Sequence, residues 1–224
     1  METIDCVRLL RDSFEGAPTS FFEYVGGDVS YRRIELLADK ICKHKMRVEM
    51  LADRVCNNTF FASDLQFVNV NKTLNGLDYF NSIIKEHDNS KLTVPFESAA
   101  YYLRYFTVCS LLPPRVFNLM LLGVYRHIKN NTHHPEFWDD DVTFQIYKRR
   151  EAAGVPYTVN ATEMSKPCLY AMCCDWCAVG LEVRQSKAAT LSWAKVVSSG
   201  EGHFAFTPEQ QELILKVITT IYTD

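Results

Sequence analysis

The sequence predicts a mainly α-helical fold, and three observations support this prediction. Apolar residues recur at helical three-to-four spacing over long stretches, most clearly in residues 30–56. Helix start and stop signals occur at 113–114, where two prolines stand together, and at 207–210, which reads Thr-Pro-Glu-Gln. Strand-like alternation is confined to residues 59–72. We therefore expect two helical lobes, terminal arms and one short β-hairpin.

The composition is that of an ordinary globular protein. The 224 residues are 47% hydrophobic and 23% charged, which is enough apolar material for a core. The N-terminus lacks the pattern of a signal peptide, and no apolar run approaches the length of a membrane span. We therefore expect no membrane insertion and a cytosolic setting, with all eight cysteines reduced. The formal net charge of −3 argues against a dedicated nucleic-acid binder.

The first third of the chain is expected to contain an arm, a long helix and the hairpin. Residues 1–28 mix aromatic residues with Gly and Pro, which predicts an irregular arm. Residues 30–56 predict one long helix or two, with Ser30 as a candidate cap and with seven basic and four acidic residues on the surface. Residues 59–72 predict a short strand pair or an extended loop, Gly76 marks a break, and a short helix follows through Ile84.

The middle of the chain predicts two helices and a boundary. Residues 93–110 form a helix with a dense aromatic face, and 115–129 form a helix that is apolar on nearly all sides and hence central. Residues 130–141 are polar and predict a loop between lobes. The expected division is an arm at 1–28, an N-lobe at 29–130, a C-lobe at 131–203 and a C-terminal helix or arm at 204–224.

The last third predicts three further helices. Residues 142–153 form a helix that ends at Gly154, and the apolar stretch 167–184 forms a buried helix. At the C-terminus, Thr207 is an N-cap, Pro208 occupies the first helical position and Gln210 completes a capping box.

A cluster of cysteines is the sharpest chemical feature. Cys174 and Cys177 form a C-x-x-C motif, and His133 and His134 lie upstream, so that a zinc site is one interpretation. The cysteines stand among large apolar residues on a predicted helix, which favours packing in the core. The members of this cluster are Cys168, Cys173, Cys174 and Cys177.

No enzyme motif stands out in the chain. His127, His133 and His134 could act as bases, but no nucleophile is marked for them. The three aspartates at 139–141 are typical of an exposed acidic loop. We therefore expect no catalytic residue, no cofactor and no bound metal.

Basic residues stand beside aromatic ones at several places. Single-stranded nucleic acid is held by cations that bind phosphates and by aromatic faces that stack on bases. The candidate RNA-binding residues are Arg32, Arg33, Lys40, Lys43, Lys45, Arg47, Arg54, Tyr101, Arg104, Arg126, Lys129 and Trp193.

Several segments, taken in order, resemble the nucleoprotein of bunyaviruses of the orthobunyavirus type. They are the aromatic arm with Phe14, Phe21, Phe22 and Tyr24, the basic helix start Arg33-Ile34 with Leu37, Ala38 and Lys40, the segment 65–69, Leu92-Thr93 with Tyr101, Arg104 and Tyr105, and the segment 191–195.

The resemblance implies a viral nucleoprotein, present in host cytoplasm and virion interior, that coats single-stranded genomic RNA without sequence readout. Arg104 would line a basic cleft, and Lys43, Lys45 and Arg47 would contact phosphates. Terminal arms would join copies head to tail, and a viral polymerase would be a further partner. The implied oligomerisation residues are Phe14, Phe21, Phe22, Leu213, Ile214, Val217, Ile218 and Ile221.

Two alternatives stay open at this point. One is a helical, host-modulating interaction module that binds no nucleic acid and carries an apolar groove. The other is a small metalloprotein or enzyme in which Cys168, Cys174 or Cys177 lies within bonding reach of His133 or His134.

Overall fold

The computed structural model describes residues 3–16, 31–71, 74–200 and 203–223, and it is mainly helical, as predicted. Short 3₁₀ helices occupy Cys109–Leu111 and Pro135–Trp138. Within this described part of the chain, no helix has the length and apolarity needed to cross a membrane. The helices are α1 (Thr3–Glu15), α2 (Tyr31–Asn57), α3 (Thr59–Gln66), α4 (Gly76–Glu86), α5 (Ser90–Thr93), α6 (Pro95–Phe106), α7 (Pro114–Asn130), α8 (Phe144–Ala153), α9 (Lys166–Glu182), α10 (Lys187–Val197) and α11 (Pro208–Ile221).

Among the residues that the structure describes, four short strands form two small sheets. Strand β1 (Asn69–Asn71) pairs antiparallel with β2 (Leu74–Asn75). A short hairpin is thus confirmed, but its second strand lies beyond the predicted range of 59–72. Strand β3 (Val159–Asn160) pairs parallel with β4 (Phe204–Ala205). The β prediction is wrong for residues 59–66, which form α3. The side chain of Asn58 caps this helix by accepting a hydrogen bond from the Phe61 backbone N–H at 3.2 Å.

The chain divides into two compact units, each built from two separate stretches. The first unit comprises residues 1–45 and 87–130, and the second comprises 46–86 and 131–224. One boundary falls inside α2, and another falls at residue 130, where the polar loop begins.

In the first unit, α1 packs on α5 and α6. The Ser13 and Ser98 hydroxyls are 2.7 Å apart, and the Phe14 ring meets the edge of Tyr102 with ring centres 5.4 Å apart. The prediction of an irregular arm is therefore wrong for residues 3–15, because Cys6, Leu10 and Phe14 recur at helical spacing and are buried. The rest of that arm, with Phe21 and Phe22, and the proposed cap Ser30 lie outside the described residues.

The predicted helix over 93–110 is interrupted near its start. Pro95 begins α6, because proline lacks a backbone N–H and suits the first helical turn. The preceding residues form the separate short helix α5. The predicted helix over 115–129 is confirmed as α7. It packs closely along α6, where Gly123 lies against Ala100 and leaves no room for a side chain.

A disulfide joins α1 to α2 within the first unit. Cys6 and Cys42 are both buried, and their Cα atoms are 6.8 Å apart, a separation that a disulfide can span. The expectation that all cysteines are reduced is therefore wrong for this pair. The other six are free thiols: Cys56, Cys109, Cys168, Cys173, Cys174 and Cys177.

In the second unit, α9 is the central helix. It is buried on nearly all sides and packs against α4 and α11. The predicted capping box of α11 is confirmed, since Thr207 and Gln210 exchange both hydrogen bonds. The predicted helix ending at Gly154 is confirmed as α8, and Gly154 takes the left-handed conformation with φ of 61°.

The disulfide should contribute substantially to stability. Replacing both cysteines, in Cys6→Ser/Cys42→Ser, should lower the free energy of unfolding by about 3–4 kcal/mol, because the bond closes a loop of 36 residues in the unfolded chain. Urea unfolding of the variant and the oxidised parent measures the difference. A Cys109→Ser variant is the control. Equal free energies of unfolding for the double variant and the parent would contradict a stabilising role of the disulfide.

Candidate metal centre

Four buried titratable side chains converge in the first unit. They are His44 from α2, His87 and Asp88 from the turn after α4, and His127 from α7, together called the Asp88 cluster. Asp88 is 2% exposed and His127 is 0% exposed. Burial of groups that can carry charge is costly unless each finds a compensating partner, so such a cluster marks a candidate functional site.

The turn that carries His87 and Asp88 is held in an uncommon conformation. Asp88 has a φ of 59°, in the left-handed region that aspartate tolerates better than most residues. Lys45 is buried and donates hydrogen bonds to the His87 carbonyl and, at 2.8 Å, to Oδ1 of Asn89. Lys45 therefore fixes the turn from α2, and this internal role replaces the phosphate contact that was predicted for it.

Asp88 is the negative centre of the cluster. Its Oδ1 lies 2.6 Å from Nζ of Lys91 and 3.3 Å from Nε2 of His127. Burial alone would raise the pKa of this carboxyl, but Lys91 and the three surrounding histidines outweigh burial and hold the pKa well below its usual range. The carboxylate is therefore ionised at neutral pH and available as a ligand.

The other carboxylate oxygen faces two imidazoles. The Nε2 atoms of His44 and His87 are 3.1 Å apart, and each is 3.7 Å from Asp88 Oδ2. A point equidistant from these three atoms lies about 2.0 Å from each, which matches zinc bonds to imidazole nitrogen and carboxylate oxygen. The three atoms can therefore hold one cation at these separations once the proton shared between the two imidazoles is released.

The orientation of the His127 ring is fixed by two polar contacts at its Nδ1 atom. Its Nδ1 lies 2.8 Å from the Ser90 hydroxyl and 3.3 Å from Oε2 of the buried Glu97. Burial would raise the pKa of Glu97, but hydrogen bonds from His127 and Ser90 outweigh burial and lower this pKa. An ionised carboxylate only accepts, so Nδ1 carries a proton, and Nε2 faces Asp88 Oδ1.

The ligand types restrict the metal. Imidazole nitrogen suits first-row transition ions such as Zn²⁺ and Fe²⁺, whereas sites of oxygen alone suit Mg²⁺ and Ca²⁺. Three protein ligands leave coordination positions for water or substrate, as in catalytic sites. The arrangement can therefore bind a transition ion and present it with a reactive water.

The RNA-binding candidates in the first unit are mostly on its surface. Lys43 pairs with Asp39 at 2.7 Å, and Lys40 lies over the Tyr105 ring, 4.7 Å from its centre. Lys129 is half-buried. Tyr101 is buried beneath Lys91, whose Nζ is 4.5 Å from its ring centre. Exposed candidates in this unit are Arg32, Arg33, Lys40, Lys43, Arg104 and Arg126.

The remaining RNA-binding candidates belong to the second unit. Arg47 lies 3.4 Å from a Glu182 carboxylate oxygen, and Arg54 donates at 2.6 Å to the Ile221 carbonyl near the end of α11. Trp193 is exposed on α10 and meets the Trp176 ring edge-on at 4.9 Å. The two arginines therefore already serve contacts inside their own unit.

The predicted oligomerisation residues are largely internal. Phe14 is buried in the first unit. The apolar face of α11 is buried in the core of the second unit, so a contact with another copy through this face would require α11 to leave that core. The residues on this face are the partly buried Leu213 and the buried Ile214, Val217, Ile218 and Ile221.

The clustered cysteines are core residues. Cys168, Cys173, Cys174 and Cys177 are buried, and burial raises the pKa of each thiol, to about 12 for Cys177. Among the described residues, none of the groups able to hold a metal includes a cysteine. These observations agree with the packing interpretation, and His133 and His134 lie instead against each other, with ring centres 4.3 Å apart.

Sequence reasoning missed most of the Asp88 cluster. It considered His127 only as a base and did not single out His44, His87, Asp88 or Glu97. The one local signal is Lys45, which occupies the apolar stripe of α2 between Ile41 and Val48. A lysine on such a stripe predicts a buried acceptor nearby.

The fold and the site thus define a helical protein with a buried histidine–carboxylate cluster that can hold a cation. The sequence profile of a family described as "Family of unknown function (DUF5662)" matches residues 34–220. The chain therefore belongs to this family, and the match includes the whole Asp88 cluster but not Cys6. No curated protein and no solved structure matches the chain.

Removing the negative centre should destabilise the metal-free protein. Asp88→Asn should lower the free energy of unfolding by about 3–5 kcal/mol, because the ammonium of Lys91 loses its buried counter-charge. Urea unfolding in the presence of a chelator measures this loss. The exposed Asp140→Asn is the matched control and should stay within about 0.5 kcal/mol of the parent. A similar small effect of both changes would contradict the electrostatic role of Asp88.

Proposed function

We propose that this chain is a metal-dependent hydrolase that acts on phosphate esters. The observation that carries the proposal is the triangle formed by His44 Nε2, His87 Nε2 and Asp88 Oδ2, whose edges are 3.1, 3.7 and 3.7 Å. Two imidazoles and one carboxylate at these separations suit one divalent transition ion with open coordination positions. The proposal departs from the expectation, based on sequence motifs, that the chain has no active site.

The ion would supply the nucleophile. A bound zinc ion would lower the pKa of its water to about 7 and so would supply hydroxide near neutral pH, with the proton released to solvent. Attack of this hydroxide on phosphorus would break the ester P–O bond, and the departing oxygen would take a proton from water. His44, His87 and Asp88 would hold the ion.

Lys91 offers a positive charge that can bind an anionic substrate. Its side chain is 13% exposed, and its ammonium lies between Asp88 Oδ1 and the face of Tyr101. Once an ion neutralises Asp88, this ammonium can turn to a phosphate oxygen. Burial raises the pKa of Tyr101, so its hydroxyl remains protonated and able to donate.

Metal analysis and a turnover assay test the proposal together. The purified chain should retain a transition ion, and it should release nitrophenol from a nitrophenyl phosphate in the presence of Zn²⁺, Mn²⁺ or Co²⁺. His44→Gln should lower metal affinity and turnover by about a hundredfold or more, because one of three ligands is lost. His203→Gln, a histidine substitution in the second unit, is the matched control and should behave as the parent.

Two results would count against this function. One is a chain that binds no transition ion at micromolar concentration. The other is hydrolysis that persists undiminished in His44→Gln, which would assign the activity to a contaminating enzyme.

RNA binding is a second candidate function, favoured by the exposed basic residues of the first unit. Arg32, Arg33, Lys40 and Lys43 are exposed on α2, and Arg104 is exposed on α6. We propose these residues as the phosphate contacts of a single-stranded RNA. A purified particle with a high ratio of absorbance at 260 to 280 nm, lost after ribonuclease and high salt, would support it. A monomer with a low ratio would remove it and leave the hydrolase proposal intact.

A further inference from the structure

We infer that Asp88 bridges two cations, and that the second is bound by Asp88 Oδ1 and His127 Nε2. The inference rests on the proposed function, which places the first ion at Oδ2 of the same carboxylate. It adds a second metal site whose ligands are the other oxygen of Asp88 and a different histidine. At this site the ion competes with the ammonium of Lys91.

The second pair of atoms has the separation of metal ligands. Oδ1 of Asp88 and Nε2 of His127 are 3.3 Å apart. With bonds of about 2.1 Å, two atoms at this separation subtend about 105° at the ion, close to the tetrahedral angle. Solvent or substrate oxygens would complete the coordination shell.

His127 is prepared to act as a ligand. Ser90 at 2.8 Å and Glu97 at 3.3 Å engage Nδ1, so Nε2 is the ring nitrogen left to bind an ion, and it faces Asp88 Oδ1. Without an ion, a proton on Nε2 fills the 3.3 Å gap to Oδ1, and a bound cation would take the place of that proton. A carboxylate behind the ligating histidine is also the usual support in metal sites.

Lys91 neutralises the same oxygen when no ion is present. Its ammonium lies 2.6 Å from Asp88 Oδ1, on a flexible side chain that is 13% exposed. The ammonium must leave Oδ1 when the second ion binds, so the two cations compete for one oxygen. Removing this ammonium should therefore tighten the second site.

A bridging carboxylate suits hydrolytic chemistry. Pairs of ions about 3.5–4 Å apart stabilise both the attacking and the leaving oxygen of a phosphoryl displacement. Asp88 offers one oxygen to each ion, with His44 and His87 on one side and His127 on the other. The same carboxylate then fixes the spacing of the two ions.

Titration with Mn²⁺ alone tests the inference without any substrate. The parent should bind two ions per chain and give the exchange-coupled paramagnetic resonance signal of a manganese pair. His127→Gln should bind one ion and give the signal of an isolated ion. His203→Gln should retain the coupled pair.

The outcomes separate the two proposals. A parent that binds one ion would overturn the second site and leave the one-metal hydrolase standing, whereas a parent that binds none would overturn both. Two coupled ions in His127→Gln would overturn the ligand assignment. If His127→Gln does not fold, Lys91→Met provides the test. In this variant the dissociation constant of the second Mn²⁺ ion should fall about tenfold or more, equivalent to about 1.4 kcal/mol. An unchanged constant would overturn the inference.

Discussion

The first unit is organised by one buried negative charge, the carboxylate of Asp88. An isolated carboxylate cannot stay ionised in a protein interior, because desolvation disfavours its charged form. Here α2 supplies His44, α5 supplies Lys91 and α7 supplies His127, so three helices each deliver a compensating group. The placement of these helices and the charge state of one side chain therefore depend on each other.

Such a cluster is a poor way to stabilise a fold. Replacing buried ionic groups with apolar residues of similar size is often neutral or stabilising, since desolvation offsets much of the attraction. The Asp88 cluster also concentrates three imidazoles in a small volume and holds a non-glycine residue at a φ of 59°. Strain and costly burial in one place are typical of a functional site, and they favour binding over packing as the reason for this arrangement.

Sequence patterns predicted the parts of the fold that depend on local chemistry. Apolar periodicity predicted α2 and α7, the glycine stop predicted the end of α8, and the capping box predicted the start of α11. Each of these signals acts within a few residues. The error at α1 arose because Gly, Pro and aromatic residues of the same segment outweighed the helical spacing of Cys6, Leu10 and Phe14. The error at α3 arose because the strand-like alternation was extended back over a short helix that Asn58 caps. The disulfide could not be predicted, because it depends on how α1 packs against α2.

The candidate site could not be assembled from sequence, because its members are far apart in the chain. Residues 44, 87 and 127 are separated by about forty positions each, and no short motif links them. Only the folded arrangement of α2, α5, α6 and α7 brings them together. Each histidine taken alone is more simply interpreted as an ordinary polar residue on a helix or turn.

Lys45 shows how a charge can be misassigned when only its sign is counted. It belongs to a run of basic residues on α2, yet it is buried, whereas Lys40 and Lys43 are exposed. The difference follows from helical geometry, because Lys45 is four residues after Ile41 and three before Val48 and so shares their apolar face. A lysine there must find oxygen acceptors, and those it finds are the His87 carbonyl and Asn89 of the turn that presents Asp88. The position of a charge on its helix, more than its sign, therefore decides whether it faces a partner molecule or supports a site inside the chain.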